Sequence, residues 1–366
     1  MRFWITLIVC SLLSWLGVFG TAMGVAQSIS LTDVQRKRLA EIVHGDKDAG
    51  AMFAAFKRQA DQALNDQPKP IDKIQTEGKL PKDPVKLKTE ESLADMGKLE
   101  ALAFAYAVTA EPKYADKSRE FLLVWAGTNH SKGDPIDDTN LEPLLFNYDL
   151  TRSTFSADER QAVDAYLRGV AAVELATAKS KDNNHFNNWH SHRLKIVGLI
   201  AFLLPDQALI DTTVRMYKEQ IEHNIEPDGS TYDFHERDAL HYHLYDLAPL
   251  LTLAIAAKAN GVDLYSYQSP KGGSLGKTIE FLLPYAQGTK THAEFVNSKV
   301  SFDRKRAEAG AKEYQSGSAF QPHSALTVLG LAEFFDPSLL DLVHTLSHGN
   351  SPKYPTWQIV LNEVRK

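Results

Sequence analysis

Sulfur chemistry is nearly absent from this chain: Cys10 is the only cysteine among its 366 residues. Cys10 sits in a leader where Met1-Arg2 is followed by an almost wholly apolar run, Phe3 to Phe19, and then by the small residues Gly24-Val25-Ala26. A basic start, a short apolar core and a small-residue end mark a secretory signal peptide, so residues 1–26 are expected to be removed. The remaining 27–366 would hold no thiol. That excludes disulfides, thiolate metal sites and cysteine nucleophiles, and suits a periplasmic or secreted location. The apolar run is slightly short for a stable membrane span, and no membrane contact is expected after cleavage. An excess of positive charge is also lacking. The net charge of −6 leaves no basic footprint for nucleic acid, and an anionic ligand would need a locally basic groove. Sustained β alternation with hairpin turns is missing too.

What is present is helix, short turn, helix. The spacing predicts helices over 30–43 and 46–64, the second with Ala49, Met52, Phe53, Phe56 and Ala60 on one face. Residues 67–88 read as a long loop rich in Pro and Lys, functional or solvated. Helices follow at 90–109, 113–125 and 141–150, the last after a polar loop over 128–139. Ser156-Ala-Asp-Glu159 is a capping box opening a helix to Ala178. Further helices are predicted at 189–204, 208–224, 239–257, 277–286, 324–334, 337–348 and 354–364. Pro249 should kink the helix over 239–257 or define its start. Residues 287–321 read as a polar loop carrying Lys299, Arg304, Lys305 and Arg306. Helical hairpins stacked in sequence close into a toroid or run as a solenoid. With about 340 residues, ample for a large core, the expected fold is all-α, an incomplete α/α toroid in one domain.

Two stretches carry the unusual chemistry. Asn183-Asn184-His185-Phe186-Asn187-Asn188-Trp189-His190-Ser191-His192-Arg193 gathers amides, imidazoles, an indole and a guanidinium. His235-Glu236-Arg237-Asp238-Ala239-Leu240-His241-Tyr242-His243-Leu244-Tyr245 follows about fifty residues later. His-x-His pairs are metal-capable, but side chains two apart on a helix point away from each other. No metal and no cofactor is expected. The set suits a different task. In a uronic-acid polymer the C5 proton is alpha to a carboxylate, and its removal needs that carboxylate neutralised by donors. A base near C5 and an acid near O4 complete the requirement. Asn, His and Arg are neutralisers. A Tyr, with an ordinary pKa of about 10, serves as base when cations are near.

Asn183-Asn184-His185 followed by Trp189, and then Tyr242-His243-Leu244-Tyr245-Asp-Leu-Ala-Pro249-Leu, resembles the alginate-lyase superfamily of α/α-toroid polysaccharide lyases. The similarity in style covers residues 91–334. It implies a lyase acting on a mannuronan- or glucuronan-type polymer, with Asn184 and His185 neutralising the carboxylate, joined by Arg237, and Tyr245 as base and acid. Two departures stand out. Trp189 falls one residue later than in the family pattern, so Asn187 or Asn188 would share the amide role. Asp238 occupies the place of the family arginine, which puts Arg237 one residue early and makes Arg193 the reserve. Tyr242, His241, Asn188, Trp189, Arg193 and Lys299 are expected to contact substrate. The expected partner is an anionic polysaccharide, bound by a monomer.

The competing readings are an α/α-toroid glycoside hydrolase, which would draw two acids from Glu142, Asp149, Asp233 and Glu236, and a non-catalytic uronan-binding protein of the periplasm. In β-mannuronate and β-glucuronate the C5 proton and O4 leave from one side, so a single Tyr serves both ends. In guluronate His185 would be the base and Tyr245 the acid.

Overall fold

A computed structural model describes residues 28–178, 186–347 and 353–366. The leader expected to be a signal peptide lies outside the described residues, as do Asn183, Asn184 and His185.

Local capping fixes the first helices. Thr32 and Gln35 form a reciprocal capping box that starts α1 (Asp33–Gly45), and Asp46 caps α2 (Lys47–Ala63) through Asp48 and Ala49. The next helix, α3 (Pro84–Thr109), starts six residues before the sequence reading placed it. Asp83 accepts from Val85 N–H and Pro84 fills the first helical position, where its missing N–H costs nothing. Then come α4 (Pro112–Thr128) and a short α5 (Pro135–Asp138) inside the stretch expected to be a polar loop. α6 (Glu142–Thr151) and α7 (Ala157–Ala178) follow, with the predicted Ser156/Glu159 capping box in place before α7.

α8 (Asn188–Leu203) is buried nearly all round, with only Trp189 partly open. A helix apolar or buried on every side sits inside a domain, not on its surface. Its neighbours are α9 (Gln207–Asn224), α7 and above all α11 (Leu240–Ala259). Gly198 permits the closest approach: a Cβ there would stand 2.5 Å from Leu253 Cδ1 and 2.9 Å from Thr213 Cγ2. Between them runs the short α10 (Tyr232–Arg237). α11 continues through Pro249, which neither starts nor ends it. Because Pro249 has no N–H, the carbonyl of Tyr245 loses its ordinary intrahelical donor.

α12 (Leu275–Ala286), α13 (Ser301–Glu308), α14 (Leu326–Ala332), α15 (Leu340–Ser347) and α16 (Trp357–Arg365) complete the order. α13 falls within the expected polar loop. It shows no apolar stripe because the one residue it buries is Asp303.

Among the described residues there is no strand, only the isolated bridges Ile225–Thr231 and Ala293–Ala319. Helices pair with their sequence neighbours, α2 on α3, α3 on α4 and α6, α7 and α9 on α8, and α16 returns to α1. The architecture is the expected all-α toroid of stacked helical hairpins. One hydrophobic cluster extends from Ile29 to Val364. None of the described helices is long and apolar enough to cross a membrane.

Candidate active site

Two central helices and two irregular segments enclose a cleft of about 280 Å³. α8 contributes Asn188 and Trp189, α10 Arg237, and α11 His241, Tyr242 and Tyr245. The segment before α3 adds Thr76, Glu77, Lys79 and Pro81, and α3 itself Lys86. Arg306, Glu313 and Tyr314 come from the region around α13. The cleft carries four cations, Lys79, Lys86, Arg237 and Arg306, against two carboxylates, Glu77 and Glu313. This is a locally basic groove on a chain of net charge −6.

Tyr245 stands where this cleft meets two further cavities, of about 640 and 380 Å³. Its ring packs on His192 at 4.3 Å and edge-on to Tyr242 at 6.1 Å. Among the described residues its hydroxyl has no hydrogen-bond partner. Burial pushes the Tyr245 hydroxyl above its ordinary pKa, and the nearby Glu77 carboxylate adds to this, while Arg306 pulls the other way. The sequence reading looked to nearby cations to make this tyrosine a base; in the free protein burial outweighs them.

His192 was not singled out as a site residue. Its Nδ1 shares a hydrogen bond with Thr139 Oγ1 at 2.8 Å. Among the described residues its Nε2 makes no hydrogen bond of ordinary geometry, but the Tyr245 carbonyl left free by Pro249 favours its protonated form. Burial, with Lys195 nearby, outweighs that and holds the ring neutral, well below the usual histidine range. The signal was in the spacing: Asn188, His192 and Lys195 lie at i, i+4 and i+7 of one helix face.

Arg237 reaches the cleft despite its shift in sequence. Asp238 takes a left-handed conformation (φ 47°, ψ 52°) that ends α10. It also ties down the 292–297 segment: its carbonyl accepts from Phe295 N–H at 2.7 Å and its carboxylate from Asn297 N–H at 2.9 Å. The turn lays the Arg237 guanidinium over the Tyr242 ring, 3.9 Å from its centroid. Its Nη1 donates to Asp303 at 2.5 Å. His241 lies in the same cleft, with its pKa lowered by burial.

Asn188 is fixed from behind. Its backbone N–H and its Nδ2 donate to the two oxygens of Asp233, at 2.6 and 2.5 Å. The adjacent layer is equally tied: Asp246 accepts from Ser191 Oγ at 2.5 Å and Asn224 Nδ2 at 2.6 Å, joining α8, α9 and α11 directly behind Tyr245.

Two residues expected at the substrate lie elsewhere. Arg193 is buried, its Nε donating to Glu174 at 2.9 Å between α8 and α7, and it lines none of these cavities. Lys299 is exposed and pairs with Glu236 at 3.4 Å outside the cleft. The four carboxylates named for a hydrolase are each engaged by structure. Glu142 pairs with Lys195, Asp149 accepts from Ser28, Ile29 and Ser30, Asp233 holds Asn188, and Glu236 meets Lys299. Among the described residues no three His, Cys, Asp or Glu converge as a metal-ligand group. The 67–83 part of the expected loop is pinned: Lys69 N–H donates to Asp95, and Thr76 and Glu77 to Asp137.

Fold and cleft thus define a helical toroid with a basic, tyrosine-centred groove on its inner helices. The family model described as alginate lyase matches residues 34–292, and the chain belongs to the alginate lyase family. A curated relative, a polysaccharide lyase of Stenotrophomonas maltophilia (strain K279a), is 27% identical over 176 residues, 44% of this chain and 52% of the relative. The match therefore spans about half the length of that relative. Among solved structures, an alginate lyase from Bacteroides ovatus superposes with a TM-score of 0.67 at 18% identity, covering 89% of this chain and 96% of that one. Alginate lyase A1-III from Sphingomonas species A1 gives 0.61 at 18%, covering 85% and 90%. A Tyr-to-Phe variant of A1-III complexed with tetrasaccharide gives 0.60 at 20%, covering 74% and 80%. At these identities the likeness is one of fold.

Proposed function

We propose that this protein is a polysaccharide lyase that cleaves a 1,4-linked uronan of the mannuronan or glucuronan type by β-elimination. The observation that carries the reading is the Tyr245 hydroxyl, without a hydrogen-bond partner among the described residues, in a basic cleft where three cavities meet. A polymer needs room on both sides of the bond that breaks, and its carboxylates need cations.

Asn184, His185 and Arg237 neutralise the substrate carboxylate, which makes the C5 proton acidic enough to leave. Arg237 is oriented for this by Asp303 and by the Tyr242 ring. Asn188, locked on Asp233, supplies a further amide. Tyr245 removes the C5 proton and the same hydroxyl protonates O4. The C5–H and C4–O4 bonds break, C4=C5 forms, and the proton ends on the leaving oxygen. A hydroxyl whose pKa is raised by burial is well suited to the donating half of this cycle. The abstracting half draws on Arg306 and on the charge compensation that arrives with bound substrate. Trp189 and His241 form the groove wall. The apolar leader supports export, and the protein would act outside the cytoplasm as a monomer.

The test is incubation with mannuronan, guluronan and glucuronan while following the near-ultraviolet absorbance of unsaturated uronate. Absorbance rising with new reducing ends is the expected result. Reducing ends without absorbance would establish a hydrolase, and binding without either a carrier of the polymer.

A further inference from the structure

Arg306 enters the cleft from α13. Its Nη1 donates to Tyr242 Oη at 2.8 Å, and its guanidinium lies 4.9 Å from the Tyr314 ring centroid and 4.5 Å from that of Phe302. Asp303, at 3.8 Å, is already taken by Arg237 at 2.5 Å. The other edge of Arg306 faces across the cleft, where Nη2 meets Glu77 Oε2 at 3.4 Å. Both side chains are largely shielded, at 14% and 20% exposure.

The two walls joined by this pair are far apart in sequence, and the Glu77 wall is fixed. Asp137 Oδ1 accepts from Thr76 N–H at 2.6 Å, Thr76 Oγ1 at 2.7 Å and Glu77 N–H at 3.0 Å. The backbone under Glu77 is therefore held, and only its side chain is free to leave. Its contact with Arg306 is single and long, whereas a guanidinium accommodates a carboxylate best through two short parallel bonds.

We propose that Glu77 occupies, in the empty cleft, the seat that a uronate carboxylate takes on Arg306 when polymer binds. Arg306 is then a substrate-binding residue and Glu77 its internal competitor. The inference rests on the uronan reading above. Exchange of one carboxylate for another keeps Arg306 compensated at every stage, avoiding the cost of a shielded charge left alone. It also gives selectivity. A neutral hexose polymer offers only hydroxyls, so it would have to strip Arg306 of its carboxylate without replacing it.

The test measures calorimetric binding of mannuronan and glucuronan oligomers to the full chain carrying Tyr245→Phe, which slows turnover, alone and combined with Glu77→Gln, Arg306→Gln, or both. Thermal unfolding of each variant checks that it is folded. Glu77→Gln should tighten binding about threefold or more, the scale of a partly shielded ion pair. Arg306→Gln should weaken it, and in the Arg306→Gln background Glu77→Gln should bring no gain. Binding of uronan that is unchanged by Glu77→Gln, or equally tightened with and without Arg306, overturns the competitor role and leaves the lyase reading intact. No binding of any uronan to the Tyr245→Phe protein overturns the lyase reading itself.

Discussion

Replacing Tyr245 by Phe separates chemistry from architecture more cleanly than any other change in the cleft. The substitution removes one oxygen. The ring contacts that seat the side chain, His192 at 4.3 Å and Tyr242 at 6.1 Å, belong to the carbons and survive. The hydroxyl has no hydrogen-bond partner among the described residues, so its loss strands no buried donor or acceptor. Stability should stay within about 0.5 kcal/mol of the parent, the range of a substitution that breaks no specific feature. Turnover should fall by about 10²- to 10⁴-fold, the contribution of a positioned proton-transfer group, equivalent to roughly 3–5 kcal/mol of barrier. KM should hardly move, because the lost interaction belongs to the transition state. The raised hydroxyl pKa adds a second reading of the same residue. In the parent enzyme kcat/KM should show no inflection from Tyr245 below pH about 10, the ordinary tyrosine value. Initial rates of unsaturated-uronate formation across pH, with thermal unfolding of both proteins, decide the matter. Turnover within threefold of the parent would move the proton transfer to Tyr242 or another group, and a large loss of stability would mean that the hydroxyl has a structural partner.

Other changes test the scaffold. A Cβ at Gly229, where φ is +90°, would stand 2.0 Å from the Lys277 carbonyl oxygen, whereas at Gly261, φ +78°, it would meet nothing within 4 Å. Gly229→Ala should therefore cost about 3 kcal/mol in chemical denaturation, from backbone strain plus overpacking, and Gly261→Ala only the strain, about 1 kcal/mol; equal losses would refute the clash. Asp233→Ala should leave the Asn188 amide without its acceptor, lowering stability by about 2 kcal/mol and kcat/KM by tenfold or more. An unchanged kcat/KM in a folded variant would remove Asn188 from the site. Burial, then the neighbouring Asp137 charge, pushes the Asp134 carboxyl from 3.8 up to about 6. The folded state thus holds this proton more tightly than the unfolded chain. The stability it contributes is complete below pH 3.8 and is lost as pH rises through about 6. Asp134→Asn should gain on the parent by about 1–3 kcal/mol at pH 8 and not at pH 3.5 in urea titrations, and a gain confined to acid pH would contradict the assignment.

The helical hairpins were legible because their apolar periodicity and caps are local. Thr32, Asp46 and Ser156 announce helix starts within three residues. The beginning of α3 was obscured by its lysines, although Asp83-Pro84 carried the cap. α13 was hidden for a deeper reason: its buried face is a carboxylate, Asp303, whose stabilising partner Arg237 lies 66 positions away. Within the site, Tyr245, Tyr242 and His241 lie on one helix, and Tyr245 was picked out by the resemblance of that stretch to the family motif. Arg193 and Arg237 could not be told apart in that way. Both sit in polar stretches, but one meets Glu174 inside the helix stack while the left-handed Asp238 turns the other into the cleft. The Glu77 and Arg306 pair joins segments 229 residues apart, which no local pattern reveals.

The return of α16 to the start of the chain bears on how the molecule is assembled. Arg38 meets Glu363 at 2.7 Å, and Arg365 Nε donates to the Ser30 carbonyl across 335 positions. These contacts span 325 and 335 positions, and closing so long a loop is a slow entropic search. The helices that carry the cleft, α8 to α11, instead meet partners close in sequence. The part of the cleft borne by α8, α10 and α11 can therefore take shape while the ring is still open, whereas the Glu77 and Arg306 walls meet only as it closes.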